Sequence, residues 1–386
     1  MSEARERTTS PSRVIELRRD LHAHPELAFA EHRTTELILD RLRVAGLEPT
    51  VLPGGTGVVC DIGTGGSRTI GLRADIDALP IQDLKQVPYR STVDGACHGC
   101  GHDAHTAILL GAAAELATQQ LPGRIRLIFQ PGEETLPGGA LSVVAAGVVE
   151  GVDRIFALHC DPRLETGQVG LRVGPITAAC DHIEIELVGP GGHTARPHMT
   201  VDLVYALGLV ITELPGLLSR RVDPRAALSL VWGAVESGRA INAIPSTGCV
   251  KGTLRVFDRD AWDSAESLLR ELVEQIVAPT GAKATISYVR GVPPVVNDAD
   301  AVATQRRAVM RGLGPASLAQ TVQSMGGEDF AWYLEHVPGA LARLGVRRPG
   351  APVFDLHQGT FDIDEDALGV GVRYTVELAR AALLAE

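Results

Sequence analysis

Four short segments hold residue types that together could run metal-assisted hydrolysis: Cys100-Gly101-His102-Asp103, Glu133-Glu134, Leu158-His159 and Asp355-Leu356-His357. A thiol, three imidazoles and one carboxylate can hold two soft-to-borderline divalent ions. That set leaves a neighbouring carboxylate free to act as a base on water. Each segment alone is weak. Cys100 and His102 point the same way if the chain is extended there, yet taken alone a buried Cys beside a surface His is the more ordinary account. Adjacent Glu133 and Glu134 face different directions in an extended turn, so one could bind metal while the other faces substrate. A solvated acidic pair is the blander account. His159 closes the apolar run Ile155-Phe156-Ala157-Leu158, where a lone His is more often structural, and His357 by itself carries little. The signal is the set, four motifs at expected strand or loop ends with the last far downstream of the others.

The elements that must position them follow from periodicity and punctuation. Residues 1–10 read as a frayed tail. Pro11 opens a first helix, a second passes through Leu37, Ile38 and Leu42, and Gly46 supplies its stop. Strands are expected at 57–62, 69–75, 124–130 and 154–159, with helices near 104–118 and 138–147. Such alternation implies a mostly parallel sheet covered by helices on both faces. Near residue 178 the pattern changes: Ile183, Ile185 and Leu187 alternate with Glu184 and Glu186, the mark of a sheet with one wet face. Helices near 201–217 and 260–277 and strands at 227–236, 248–257 and 283–290 complete a β-α-β-β-α-β order, the ferredoxin-like split motif. The expected organisation is an α/β catalytic domain over 12–178 and 292–386, interrupted by an α+β domain over 179–291.

Composition excludes other classes. At 386 residues the chain exceeds the usual size of a single core. Its 36 basic and 47 acidic residues argue against nucleic acid, which needs clustered Lys/Arg. No run of about 18 apolar residues stands out, and the polar start MSEARERTTSPS lacks the apolar region of a secretory signal. A cytoplasmic protein with no membrane segment is the expectation. Six cysteines in a chain this long do not form a disulfide framework. Cys60 and Cys249 read as small buried hydrophobes. Cys97-His98-Gly99-Cys100 has redox-type spacing without thioredoxin context, and Gly101 stands where a haem motif needs His.

Longer motifs carry a resemblance. Leu72-Arg73-Ala74-Asp75-Ile76-Asp77-Ala78-Leu79-Pro80, Cys100-Gly101-His102-Asp103-Ala104-His105 and Gln130-Pro131-Gly132-Glu133-Glu134 resemble the aminoacylase/carboxypeptidase metallopeptidase family. Gly191-Gly192-His193, Asn242-Ala243-Ile244-Pro245, Gly327-Glu328-Asp329-Phe330 and Asp355-Leu356-His357 extend the likeness over residues 12–380. The Cys-Gly-His-Asp form is similar to the amidohydrolase branch that includes hippurate and auxin-conjugate hydrolases. The resemblance implies Cys100, His102, Glu134, His159 and His357 as ligands of two divalent ions. Zn²⁺ suits the thiolate best, while the other donors also admit Mn²⁺, Co²⁺ or Ni²⁺. It implies Glu133 as general base, and His193, reaching a partner subunit's site in a homodimer, as oxyanion donor. Asn242 and Arg255 would hold the substrate carboxylate, although for Arg255 a surface strand position reads as well. Asp77 would orient ligands, and Asp103 would either do the same or cap the following helix. His105, His198, Glu328 and Asp329 fit the motifs without a derivable role.

The chemistry agrees: a divalent ion lowers the pKa of water from 15.7 toward ~7, and a carboxylate can shuttle the proton to the leaving amine. The expected substrate is an N-acyl amino acid, hippurate-like or a related conjugate. A dipeptide or an N-acetyl-diaminopimelate-type amide is the alternative within the family. A structural zinc site is the rival reading, but it would close on four ligands and need no spare base. Gly189-Pro190-Gly191-Gly192 lacks the Lys-Ser/Thr of a phosphate loop. Two departures from the family pattern stand out. Cys97 brings a second thiol near the metals, as packing or as a reversible disulfide partner of Cys100. Asp83 replaces a usual Glu.

Overall fold

A computed structural model describes residues 11–384 except 64 and 67; the tail at 1–10 lies outside the described residues. The chain divides into two compact units. One comprises the residues up to Ile176, Val296–Val322 and the chain from Asp329 onward; the other comprises Thr177–Val295 and Gln323–Glu328. Residues 323–328, which the sequence pattern assigns to the catalytic domain, cluster with the second unit.

In the first unit eight strands form one sheet in the order Thr50–Val51, Val58–Ile62, Arg124–Gln130, Thr69–Asp75, Arg154–Glu165, Gly339–Arg347, Val169–Leu171, Leu318–Gln320. The central four run parallel. Their registers put Gln130 opposite Asp75 and His159 opposite Arg343, so functional side chains emerge along the carboxyl ends. Helix His102–Leu116 is buried on every residue but Glu115. Small residues permit this: a Cβ on Gly111 would meet Val372 at 2.9 Å and Val14 at 3.0 Å. A helix apolar all round must sit between layers, here the sheet and the helices Pro11–Ala23 and Asp366–Leu384. The expected strand ending at His159 in fact runs on to Glu165. Pairing with Thr69–Asp75 stops at Ala157, so His159 still stands where its neighbour has ended.

The second unit has four antiparallel strands in the order Ser229–Ser237, Thr247–Val256, Ala179–Val188, Lys283–Val292. Helices Leu203–Arg221 and Arg259–Val277 pack on it and on each other. That is the split β-α-β-β-α-β arrangement. Helix Leu203–Arg221 is, by length and hydropathy, apolar enough to cross a membrane, although its sequence shows no unbroken apolar run of that length. Its Leu203, Ala206, Leu207, Val210, Leu214 and Leu218 are buried within the unit. All six cysteines are free. Cys249 departs from expectation: it is only half-buried, and its thiol lies 3.4 Å from Glu184 Oε1.

The strand Gly339–Arg347 must lie tightly against the one bearing His159. A Cβ on Gly339 would fall 2.1 Å from the Ile155 carbonyl oxygen, a backbone atom that cannot move aside. Gly339→Ala is therefore expected to cost about 2–3 kcal/mol, at the upper end of overpacking penalties. Urea unfolding checks this, and an unchanged midpoint would mean the strands can part freely.

Candidate metal centre and active site

Donor atoms from four segments of the first unit converge. Cys100 Sγ lies 3.5 Å from His159 Nε2. His357 Nε2 is 3.4 Å from Glu134 Oε1, and His102 Nε2 is 3.8 Å from Glu134 Oε1 and 3.9 Å from Glu133 Oε2. The sets Cys100/His102/His159, Cys100/Glu134/His357 and His102/Glu133/Glu134 each lie within 4.8 Å. Sharing Cys100, His102 and Glu134 between sets describes one centre with room for two ions.

Local structure explains how each donor arrives. Gly101 precedes helix His102–Leu116 in the left-handed region at φ 92, where a side chain is strained and a Cβ would meet Cys160 Sγ at 2.9 Å. The cap position is therefore Gly101, not Asp103. The Asp103 carboxylate instead accepts from Arg18 Nε at 2.7 Å and pairs with His22 Nδ1 at 2.6 Å, so it anchors the first helix rather than a ligand. Asp77 is the residue that orients ligands. One carboxylate oxygen accepts the Glu134 backbone N–H at 2.8 Å; the other, 3.2 Å away, and the Asp77 carbonyl at 2.9 Å face His102 Nδ1. His357, on an irregular segment at φ 61, is tied back by donating its backbone N–H to the Gly99 carbonyl at 2.8 Å. That bond closes the long return of the chain.

The hydrogen bonds also fix tautomers. His102 Nδ1 faces only acceptors, and His159 Nδ1 faces the Cys160 carbonyl at 2.8 Å. Both must carry their proton on Nδ1 when neutral, which turns bare Nε2 lone pairs inward. His102 Nε2 and Glu134 Oε1 are buried without hydrogen-bond partners. Lone pairs and carboxylates facing each other in a buried site are unfavourable unless a cation sits among them, so the donor set fits divalent ions. Without them, burial pushes the Cys100 thiol well up, reinforced by Glu134, and pushes Glu134 up to about 7 against the pull of His102. Burial lowers His159, helped by the Arg343 charge, and lowers His357, helped by His102. For His102 burial is the largest influence, but the charges of Asp75 and Cys100 outweigh it and raise the imidazole.

Two residues that sequence reasoning leaves without a role belong to the support. His105 Nδ1 meets Asp75 Oδ1 at 2.5 Å while its Nε2 accepts the Cys160 N–H at 2.8 Å, holding the strand just past His159. Asp75 in turn accepts from Arg73, whose other nitrogens reach Gln130 and Asp329. The family motifs mark these positions; only their burial shows what they do. A second donor group, His22, Asp83 and Cys97, also lies within 4.8 Å. There Lys85 Nζ sits 2.9 Å from Asp83 Oδ1 and 3.4 Å from Cys97 Sγ. Asp83 additionally accepts the backbone N–H of Lys85 and Ser91, so the shorter side chain has a defined set of partners.

The remaining expected site residues lie in the second unit. His193 is exposed on the two-residue strand Gly192–His193, paired with Ala243–Ile244. Its Nδ1 accepts the Ala195 N–H at 3.0 Å, which leaves the neutral ring's proton on Nε2, facing outward as a donor. Asn242 is exposed beside it, its carbonyl accepting from Thr194 N–H at 3.3 Å. Arg255 belongs to the other sheet, half-buried, and donates to the Met325 carbonyl. His198 is exposed on a short turn.

A mostly parallel α/β sheet with a two-ion donor set at its carboxyl edge defines a dinuclear metallohydrolase. The sequence profile of the peptidase family M20/M25/M40 matches residues 71–381, and the chain belongs to that family. It is 38% identical over 381 residues to a Bacillus subtilis protein named N-acetyl-L-cysteine deacetylase, covering 97% of this chain and 89% of that one. It is 50% identical over 368 residues to a Rhodococcus jostii protein named as a putative glutamate–cysteine ligase, covering 95% of this chain but only 46% of that longer one. The crystal structure of Bacillus subtilis YxeP, described as a dinuclear metal-binding peptidase from the M20 family, superposes with TM-score 0.85 at 36% identity, covering 97% and 98% of the two chains.

Because Asp77 bonds both His102 and Glu134, Asp77→Asn must turn an amide N–H₂ toward one of their donors. Metal affinity is expected to fall ~10–100-fold, the usual effect of losing such a partner, with the fold intact. Competition against a chromophoric chelator reads this directly. Wild-type affinity would show that Asp77 orients neither ligand.

Proposed function

We propose that this protein is a metal-dependent amidohydrolase that cleaves N-acyl amino acids to a carboxylate and an amino acid, with Glu133 as its base. The observation that carries the reading is a carboxylate beyond the ligand set. Glu133 Oε2 stands 3.9 Å from His102 Nε2 beside Glu134, yet five other donors suffice to hold the ions. When bound, such ions lower the pKa of water and polarise a carbonyl. Glu133 then takes the water's proton and returns it to the departing amine. His193, with its Nε2–H presented as a donor, is proposed to meet the developing oxyanion, and Asn242 and Arg255 to hold the substrate's carboxylate. Zinc suits Cys100 best.

The relative named N-acetyl-L-cysteine deacetylase supports a small acylated amino acid as substrate. Short peptides are the second reading, and the ligase name of the longer relative adds γ-glutamylcysteine to the candidates. The first assay is a panel of N-acetyl-L-cysteine, other acetyl-amino acids, benzoyl-glycine, dipeptides and γ-glutamylcysteine, run with metal-loaded and chelated enzyme. Metal-dependent amine release from acyl amino acids supports the proposal, and release from free dipeptides alone favours the second reading. Glu133→Gln should keep both metals by elemental analysis and lose ~10²–10⁴ in turnover; near-normal turnover would remove Glu133 from the role of base.

We further propose a cytoplasmic homodimer formed through the second unit, with His193 serving the partner's site. Separately inactive His193→Ala and Glu133→Gln chains should regain activity when mixed and allowed to exchange subunits. A fully active monomer by light scattering would rule this out.

A further inference from the structure

The loop from Gln130 to Ala140 carries both Glu133 and Glu134, and one buried carboxylate fastens its two ends. Asp329 is fully buried. Its Oδ2 accepts the Gln130 side-chain amide at 2.7 Å, where the loop leaves its strand, and the Ala140 backbone N–H at 2.9 Å, where the next helix begins. Its Oδ1 accepts from Arg73 at 2.7 Å. The loop is shaped to admit it: at Gly138, φ +92, a Cβ would lie 2.3 Å from Asp329 Oδ2. The same segment continues the clamp, Trp332 Nε1 donating to the Pro137 carbonyl at 2.9 Å. The Asp329 backbone N–H meets Glu133 Oε1 itself, at 3.5 Å.

We infer that Asp329 is a positioning residue for Glu133: its side chain sets the path of the loop and its backbone amide faces the carboxylate that acts on water. The inference rests on Glu133 being the base and adds how that base is aimed. An aspartate is required because Oδ2 receives two N–H donors at once. An asparagine of the same shape must either turn an N–H₂ toward those donors or flip and turn it toward Arg73. Gln130 offers a compensation. With Gln130→Glu, the amide introduced at position 329 regains an acceptor, Arg73 again has two carboxylate partners and the buried net charge is unchanged, while the Ala140 N–H stays unserved and the Pro131 carbonyl loses the amide that donates to it at 3.4 Å.

The test uses the two-metal enzyme and the best N-acetyl amino acid of the panel. Asp329→Asn should retain both metals and lower kcat by at least about tenfold, because small misplacements of a catalytic group are costly, with KM changed less than about threefold. The Gln130→Glu/Asp329→Asn pair should recover at least about threefold of that loss. In a Glu133→Gln background, Asp329→Asn should add less than about twofold, since the group it aims is already gone. An equal loss in both backgrounds overturns the inference, as does a kcat for Asp329→Asn within about twofold of wild type. Loss of bound metal in Asp329→Asn places the effect on Glu134 and overturns it too. Wild-type turnover by Glu133→Gln alone is a different failure, that of the base assignment, and is read from that variant by itself.

Discussion

The structure depends on one electrostatic constraint: a buried site built almost wholly of acceptors. Cys100, Glu133, Glu134 and the Nε2 atoms of His102 and His159 converge where water is largely excluded. With no cation among them such acceptors repel one another, so the thiol and the Glu134 carboxylate hold their protons more tightly than in water and the neighbouring charges raise His102 as well. Two divalent ions reverse each of these preferences at once. The surrounding fold therefore has to hold the donors close against their own repulsion, and its buried polar bonds are concentrated where they do so.

Arg73 is the hub of that scaffold. Its three guanidinium nitrogens each reach an acceptor, Gln130 Oε1 at 2.9 Å, Asp75 Oδ2 at 2.6 Å and Asp329 Oδ1 at 2.7 Å. Through Asp75 and His105 the network reaches Cys160 and the strand of His159; through Gln130 and Asp329 it reaches the loop of Glu133 and Glu134. A planar, permanently charged fork suits this task in a way a lysine ammonium does not. Buried ion pairs are weak sources of stability but strong sources of geometry when every member is satisfied. The sites of highest register demand, the carboxyl ends of adjacent parallel strands, are where this one lies.

Much of the centre is legible in the sequence because its ligands sit in short motifs next to apolar runs, and an apolar run ending in His or in Gln-Pro-Gly-Glu-Glu marks a strand opening onto a loop. The alternation of Ile183, Ile185 and Leu187 likewise marks a sheet with one wet face. What stays hidden is contact across long sequence separations. Nothing local says that Asp329 meets Gln130, that His357 is pinned by Gly99, or that Asp103 answers to Arg18 and His22 instead of capping its own helix. The cap is hard to read because Gly101 has no side chain to accept a helix N–H, and its backbone carbonyl takes those of Ala104 and His105. His159 looks like a strand end because the apolar pattern stops there, whereas its strand continues beside Gly339–Arg347.

The neighbouring cluster shows how little donor composition decides by itself. His22, Asp83 and Cys97 are an imidazole, a carboxylate and a thiol, the same kinds of donor that converge in the centre, and they are packed as closely and buried as deeply. The difference is Lys85, whose ammonium touches both Asp83 and Cys97. That charge joins the His22 ring and the backbone N–H groups of Ser91 and Lys85 in satisfying the carboxylate, and burial, opposed only in part by the ammonium, keeps the Cys97 thiol protonated with its pKa up at about 11. A divalent ion would have to displace a bonded ammonium and ionise a reluctant thiol. In the centre no lysine plays that part among the described residues, and His102 and His159, each tied to an acceptor through Nδ1, present Nε2 to the other donors. Cys97 therefore reads as a member of a lysine-filled polar cluster beneath the site, and the proximity of two thiols in sequence does not make them one reactive pair. The choice between a metal site and an ion pair is made by which cation the fold brings with it.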